Sequence, residues 1–430
     1  MNSYIVKSIL AVAVVAMAAS CKPEFDTVAP SKGSADFTRY IALGNSLTSG
    51  FADGGLYLEG QQNSFPGMIA EQMKAVGGGS FATPYFSAAQ ANGTGYAKLT
   101  GFTATGSPII TKETGNLAVT GQTTVPGVGA VTLYAKYTGD INNYGVPGVK
   151  LVHARYPGYA AVNGLYERLL TGAYGTNNTT YLDFATSKPW TFFSMWLGNN
   201  DILGYASAGG DGAANAPTPK STFTTEYNAV VAKLVSTGAK GVVATIPDVL
   251  STPYFTTVTL ATLKAAVPAA PAFYIKTGAG VTRAATANDL FTLTLSSDNV
   301  IGGASALGPY GLAPTNPIES KYVLDPEEVA VVKDYVTVYN NTIRTVANAN
   351  GLALVDAYTI LNEYSAGKKV NGVSVSAAYI RGNLFSLDGI HLTPMGYAIV
   401  ANEFISAINT KYGSSISTVD VSKYRGVKYP

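Results

Sequence analysis

The chain has 430 residues and a formal net charge of +2, and charged side chains make up only 13% of it. That balance leaves no basic surface large enough for nucleic acid, and two histidines with one cysteine argue against a zinc site and exclude a disulfide within one chain. The length is generous for one core, so either two domains or one domain with large insertions is expected.

The first 21 residues read as a targeting segment rather than as fold. Lys7 supplies a positive start, and Ile9 to Ala19 is an apolar stretch too short to span a bilayer. Ala18-Ala19-Ser20-Cys21 resembles a bacterial lipoprotein cleavage box, although Ala18 stands where Leu is commoner. The resemblance implies a signal peptide over 1–21, lipid on Cys21, and a location in the cell envelope, anchored by that lipid to the outer membrane. The alternative is an ordinary secretory signal with a chance cysteine. Residues 22–36 are polar with Pro23, Pro30 and Gly33, and read as a tether. No later run of 18 apolar residues occurs, so no membrane span is expected beyond the lipid.

Tyr40 to Leu43 is an apolar run that reads as a buried strand, broken at Gly44-Asn45 and followed by Ser46. Ser64-Phe65-Pro66 opens a helix with Met68, Ile69 and Met73 on one face, and Gly77-Gly78-Gly79 ends it. From about 80 to 140, alternating Gly, Thr and Val predict β-hairpins, read as an insertion. Residues 142–148 read as a turn after a short strand, followed by a helix over about 160–170. Trp190 to Leu197 is nearly all apolar and fits a parallel strand buried on both faces. A helix over 225–237 and a strand over 241–246 come next. Residues 255–320 read as a second, irregular insertion. Asp325-Pro326-Glu327-Glu328 starts a helix that runs to about Asn350, Leu352 to Val355 is a strand, and Thr393-Pro394 starts a last helix. Alternating strands and helices predict a parallel sheet with helices on both faces and active residues at the carboxyl ends of its strands.

Four clusters carry candidate chemistry. Ser46 follows a buried strand, where a hydroxyl can point into a cleft. Read alone, Gly44-Asn45-Ser46 is equally a turn. Asp388 and His391 lie three apart before a helix start, and helix-like geometry would put both on one face, the carboxylate orienting the imidazole. The other histidine, His153, has no acid at the same spacing and reads as a packing residue. Asn200, in Gly198-Asn199-Asn200-Asp201, can donate its amide to a developing oxyanion or simply make an Asx turn. Gly148 could bring its backbone N–H to the same oxyanion, or close a Pro-Gly turn.

In chain order, Ser46, Gly148, Asn200, then Asp388 with His391, the clusters resemble the SGNH/GDSL serine hydrolases. Ser46 matches the nucleophile of the first block. Gly148 best matches the glycine of the second, with Gly145 as the alternative. Asn200 matches the asparagine of the third, and Asp388 with His391 matches the last. The resemblance covers about 36–78, 140–250 and 322–412. It implies a three-layer α/β/α flavodoxin-like core within 37–412, a C-terminal tail over 413–430, and ester hydrolysis with no metal or cofactor. The expected substrate is an ester of a lipid or an acylated glycan. Asn45 departs from the family, which more often has Asp before the serine, and both insertions lie outside the match. An α/β-hydrolase elbow would need Gly at Thr48, and neither a P-loop nor a Gly-x-Gly-x-x-Gly turn is present. The competing reading is a surface lipoprotein that binds glycan or a partner on a decayed hydrolase core.

Overall fold

The computed structural model describes residues 29–104 and 106–430. The targeting segment and Cys21 lie outside the described residues. Five strands form the central sheet: β1 (Tyr40–Gly44), β2 (Asn143–Gly145), β3 (Phe192–Trp196), β4 (Lys240–Ala244) and β5 (Ala353–Val355). Their order is β5-β4-β3-β1-β2, and every pairing is parallel. Because β1 sits between β2 and β3, the chain reverses its direction of winding there. Such a reversal opens a crevice at the carboxyl ends of the strands.

Six helices frame the sheet and the site: α1 (Ser46–Ser49), α2 (Phe65–Met73), α3 (Asn200–Ser207), α4 (Lys220–Val235), α5 (Pro326–Ala349) and α6 (Pro394–Tyr412). One face of the sheet carries Ile41, Leu43, Phe193, Met195 and Val243, packed with Phe223 and Val230 of α4 and Tyr339 and Ile343 of α5. The other carries Tyr40, Ala42, Phe192, Trp196 and Val242, packed with Ile69 of α2 and Ile399, Phe404 and Ile408 of α6. Both faces are covered, which is why β1 and β3 read as unbroken apolar runs rather than alternating ones. Each fully buried Phe or Leu in these layers contributes roughly 1.5–3 kcal/mol of transfer free energy.

The helix signals are local and physical. Asp325 accepts from the backbone N–H of Glu327 and Glu328, and Glu328 reaches back to the N–H of Asp325 at 2.9 Å. Thr393 accepts from the N–H of Gly396 and starts α6, with Pro394 at its first position.

Several expectations need correction. The 142–148 segment contains β2 itself, and only its end is a turn. The single helix over 160–170 is two short ones, Tyr159–Val162 and Gly164–Glu167. Asn163 breaks it: extended backbone there lets its side chain accept from the N–H of Leu165 and Tyr166. α4 begins at Lys220, five residues early, behind Pro219. The second insertion is not wholly irregular, since it holds helices at Leu260–Ala266 and Leu293–Ser297 and a small hairpin, Tyr274–Lys276 with Thr282–Ala284. The segment read as a tether is packed by its end: Ser31 and Ser415 exchange hydrogen bonds, and Ala35 is buried. The 413–430 segment also packs, burying Ile416, Val419, Val421 and Val427. Among the described residues, no helix is long and apolar enough to cross a membrane.

The first insertion forms two antiparallel hairpins, Tyr96–Phe102 with Pro108–Glu113 and Val119–Val125 with Gly129–Tyr134. A lone two-stranded hairpin is marginal in water. The first hairpin is pinned by Leu99 against Ile380, Leu387 and Val427 and by Tyr96 stacked on Tyr57, and the second by Tyr134 beside Leu165 and by Gly164 close against Thr132, next to Ala118 packed on Leu56 and Phe86.

Candidate active site

The site is built at the crevice. β1 ends at Gly44, and Asn45 caps α1 by accepting from the N–H of Leu47 at 3.1 Å. A carboxylate there could accept the same bond, so the departure at Asn45 keeps the cap. Ser46 is thereby the first residue of α1, with only 8% of its surface exposed.

His391 Nε2 lies 2.9 Å from Ser46 Oγ, and His391 Nδ1 lies 2.9 Å from Asp388 Oδ2. With Nδ1–H donated to the carboxylate, Nε2 is the acceptor facing the hydroxyl. The spacing of three works, but not through helical geometry. Asp388 sits in a tight turn through Gly389 (φ 71°), and its Oδ1 accepts from the backbone N–H of both Ile390 and His391 at 2.8 Å. Burial alone would raise the Asp388 pKa. The His391 charge and these hydrogen bonds outweigh it and hold the carboxyl well below the usual range. The Phe51 ring lies 4.5 Å from the His391 ring and covers it.

Asn200 begins α3, separated from the end of β3 by residues 197–199, and its amide does not close an Asx turn. It donates to the carbonyl of Val149 at 3.0 Å, which ties it to the residue after Gly148. Asp201 makes the second tie, accepting from the N–H of Leu151 at 2.7 Å and from Thr218 Oγ1 at 2.7 Å. Burial raises the Asp201 carboxyl to about 6. Ser46, Asn200 and His391 line one small pocket with Leu47, Leu203, Val249 and Ile390.

The two candidate glycines separate cleanly. A Cβ on Gly145 would fall 2.3 Å from the backbone nitrogen of Ser49, so this glycine lets α1 lie against β2. Gly148 is exposed with φ 81°, and a Cβ there would meet only the Asn163 amide at 3.7 Å, so backbone conformation rather than packing calls for glycine there. His153 stands apart: its ring stacks on Tyr159 at 4.6 Å and its Nδ1 accepts from the N–H of Lys150.

Sequence reading missed Asp53, which holds the two halves of the site together. It sits just beyond α1 at φ 54° and is buried. Its Oδ1 accepts from the N–H of Leu387 at 3.0 Å and its Oδ2 from Tyr57 Oη at 2.7 Å. The N–H of Asp53 donates to Ser386 Oγ, and that of Gly54 donates to Asp388 Oδ2 at 2.7 Å. Asp53-Gly54 is an ordinary turn dipeptide in sequence, and nothing local signals a partner more than 330 positions away.

The sequence model of the GDSL-like lipase/acylhydrolase family matches residues 40–404, which is most of the chain. The chain belongs to that family. It is accordingly an ester-bond hydrolase. Similar solved structures include LAE5, an α/β hydrolase enzyme from the Lake Arreo metagenome, at 11% identity, covering 87% of this chain and 96% of that one with a TM-score of 0.38. Axe2, an acetyl-xylooligosaccharide esterase from Geobacillus Stearmophilus, matches at 11% identity over 87% and 96% of the two chains, with a TM-score of 0.34. A lipase/acylhydrolase from Enterococcus faecalis matches at 12% identity over 89% and 100%, with a TM-score of 0.32. All three scores are low, so the fold assignment rests on the family match and the sheet order. A search of curated proteins finds no match. The family match spans both insertions, and this GDSL hydrolase carries them as additions to the five-stranded core.

Proposed function

We propose that this protein is a serine esterase that cleaves carboxylic esters through an acyl-enzyme. The observation that carries the reading is the unbroken hydrogen-bonded series Asp388–His391–Ser46, whose His391 and Ser46 line one pocket with Asn200. Ser46 Oγ attacks the ester carbonyl carbon while its proton passes to His391 Nε2. Asp388 keeps the imidazole in the correct tautomer and stabilises the imidazolium that forms. The carbonyl electron pair moves onto oxygen, which the backbone N–H groups of Ser46 and Gly148 and the second N–H of the Asn200 amide hold. When the intermediate collapses, the alcohol leaves with the proton from His391. Water then adds to the acyl carbon, giving its proton to His391, and the carboxylic acid departs as Ser46 is restored.

The order of events explains why Asn200 is anchored at Val149 rather than free. A donor aimed at charge that exists only in the transition state is effective only if it is already in place. Labelling with a fluorophosphonate probe tests the reading. The expected result is one adduct on Ser46, absent in Ser46→Ala. A protein that stays unlabelled while folded would instead support the binding-protein reading.

A further inference from the structure

The two insertions face each other across a cleft of about 610 Å³ whose floor is the segment leading into the Asp388–His391 turn. The first hairpin contributes Ser107 and Ile110, the second insertion Thr294 and Ser297, the residue just before that insertion Tyr254, and the floor Asp388. Its volume falls within the range of ligand sites, roughly 300–1,000 Å³. The pocket beside Ser46 is far smaller, about 40 Å³, and largely apolar. The two cavities share the 388–391 segment as a wall: Asp388 lines the cleft, and Ile390 and His391 line the pocket.

We propose that this cleft binds the alcohol part of the substrate, and that this part is a neutral oligosaccharide chain carrying a short acyl ester. The proposal rests on the esterase reading and names its substrate class. Neither lysine nor arginine lines the cleft, so a phosphate or carboxylate would be desolvated without a counter-charge. Its one carboxylate, Asp388, is already committed to His391, Gly54 and the backbone of its own turn. A long acyl chain would strip water from the hydroxyls of Ser107 and Ser296 and from the Asn299 amide and offer them nothing. Sugars present hydroxyls at their rims and apolar faces between them, which suits serines and threonines interleaved with Tyr254, Ile110 and Leu293. The difference in volume assigns the ends: a short acyl group fits beside Ser46, and only the cleft can take several sugar units.

The test uses Ser297→Trp and Ser107→Trp, which fill the cleft from opposite sides at exposed positions. The ratio of kcat/KM on O-acetylated xylohexaose to kcat/KM on p-nitrophenyl acetate should fall roughly tenfold or more in each. Calorimetry of Ser46→Ala protein with acetylated xylohexaose and acetylated cellohexaose should show binding that either tryptophan removes. An unchanged ratio in both variants would overturn the proposal, as would a preference of the wild type for p-nitrophenyl palmitate over the acetyl ester. The binding arm is independent of turnover. Binding without hydrolysis of any ester would sink the esterase reading and leave the cleft standing, whereas hydrolysis of small esters with no oligosaccharide binding would do the reverse.

Discussion

The sheet and the insertions are built by opposite logics. In the sheet, β1 and β3 are buried at every residue, and helices seal both faces. In the first insertion, the strand Pro108–Glu113 is exposed along almost its whole length, and Ile109 and Ile110 are 43% and 40% exposed. The core can therefore hold Ser46 and Asn200 at the ends of rigid strands, where small displacements would be costly in rate. The hairpins are pinned at a few residues and leave large apolar side chains in solvent above the site. The proposed chemistry uses the first region, and the proposed sugar cleft is walled by the second.

Asn200→Ala breaks the comparison on the core side. If its amide holds the oxyanion, kcat should fall by about 10²–10³ with KM changing much less. The lost bond to Val149 should cost about 1 kcal/mol of stability. A large fall in melting temperature with kcat nearly intact would make Asn200 a structural residue only.

Leu99→Ala sharpens the comparison on the insertion side. Leu99 is 2% exposed in a small cluster with Ile380, Leu387 and Val427, apart from the main core. Its truncation should cost about 2–3 kcal/mol, at the low end for a buried leucine because little surrounds the site. Amide exchange should rise in 96–113 and stay unchanged in β1 and β3. Equal loosening of the sheet would show that the two regions fold as one unit.

The smallest effect is expected at His153. Burial first, and Lys150 second, hold its pKa down at about 4, against 6.5 for a free histidine. Between those values the folded chain binds fewer protons than the unfolded one. The contribution to stability is therefore whole above 6.5 and is lost as pH falls toward 4. His153→Gln should lose less stability than wild type between pH 7 and pH 4.5, while kcat at pH 7 stays within about twofold. A substantial loss of kcat would give this second histidine a part in the reaction.

What the sequence showed, and what it hid, follows the same division. β1 and β3 were legible because burial on both faces leaves an unbroken apolar run, and α5 because Asp325 and Glu328 cap it within four residues. Ser46, Asp388, His391 and Asn200 were legible as residue types beside strand ends and a helix start. The geometry at Asp388 was not, because its turn depends on Gly389 adopting φ 71° rather than on helical periodicity. Asp53 was invisible because its function lies in contacts with Ser386 and Leu387, far along the chain. The break at Asn163 was hidden because the apolar spacing on either side suits a helix, and only the competing side-chain cap ends it.

The central claim is that Ser46, His391 and Asp388 act as one catalytic unit. Single-turnover rates on one small ester for Ser46→Ala, His391→Ala and the double variant, each checked for an unchanged melting temperature, test it most directly. Members of a unit cannot be lost twice, so the account predicts that each single variant falls by several orders of magnitude and that the double falls no further. Losses that multiply in the double variant, or a Ser46→Ala protein that keeps most of its rate, would contradict it.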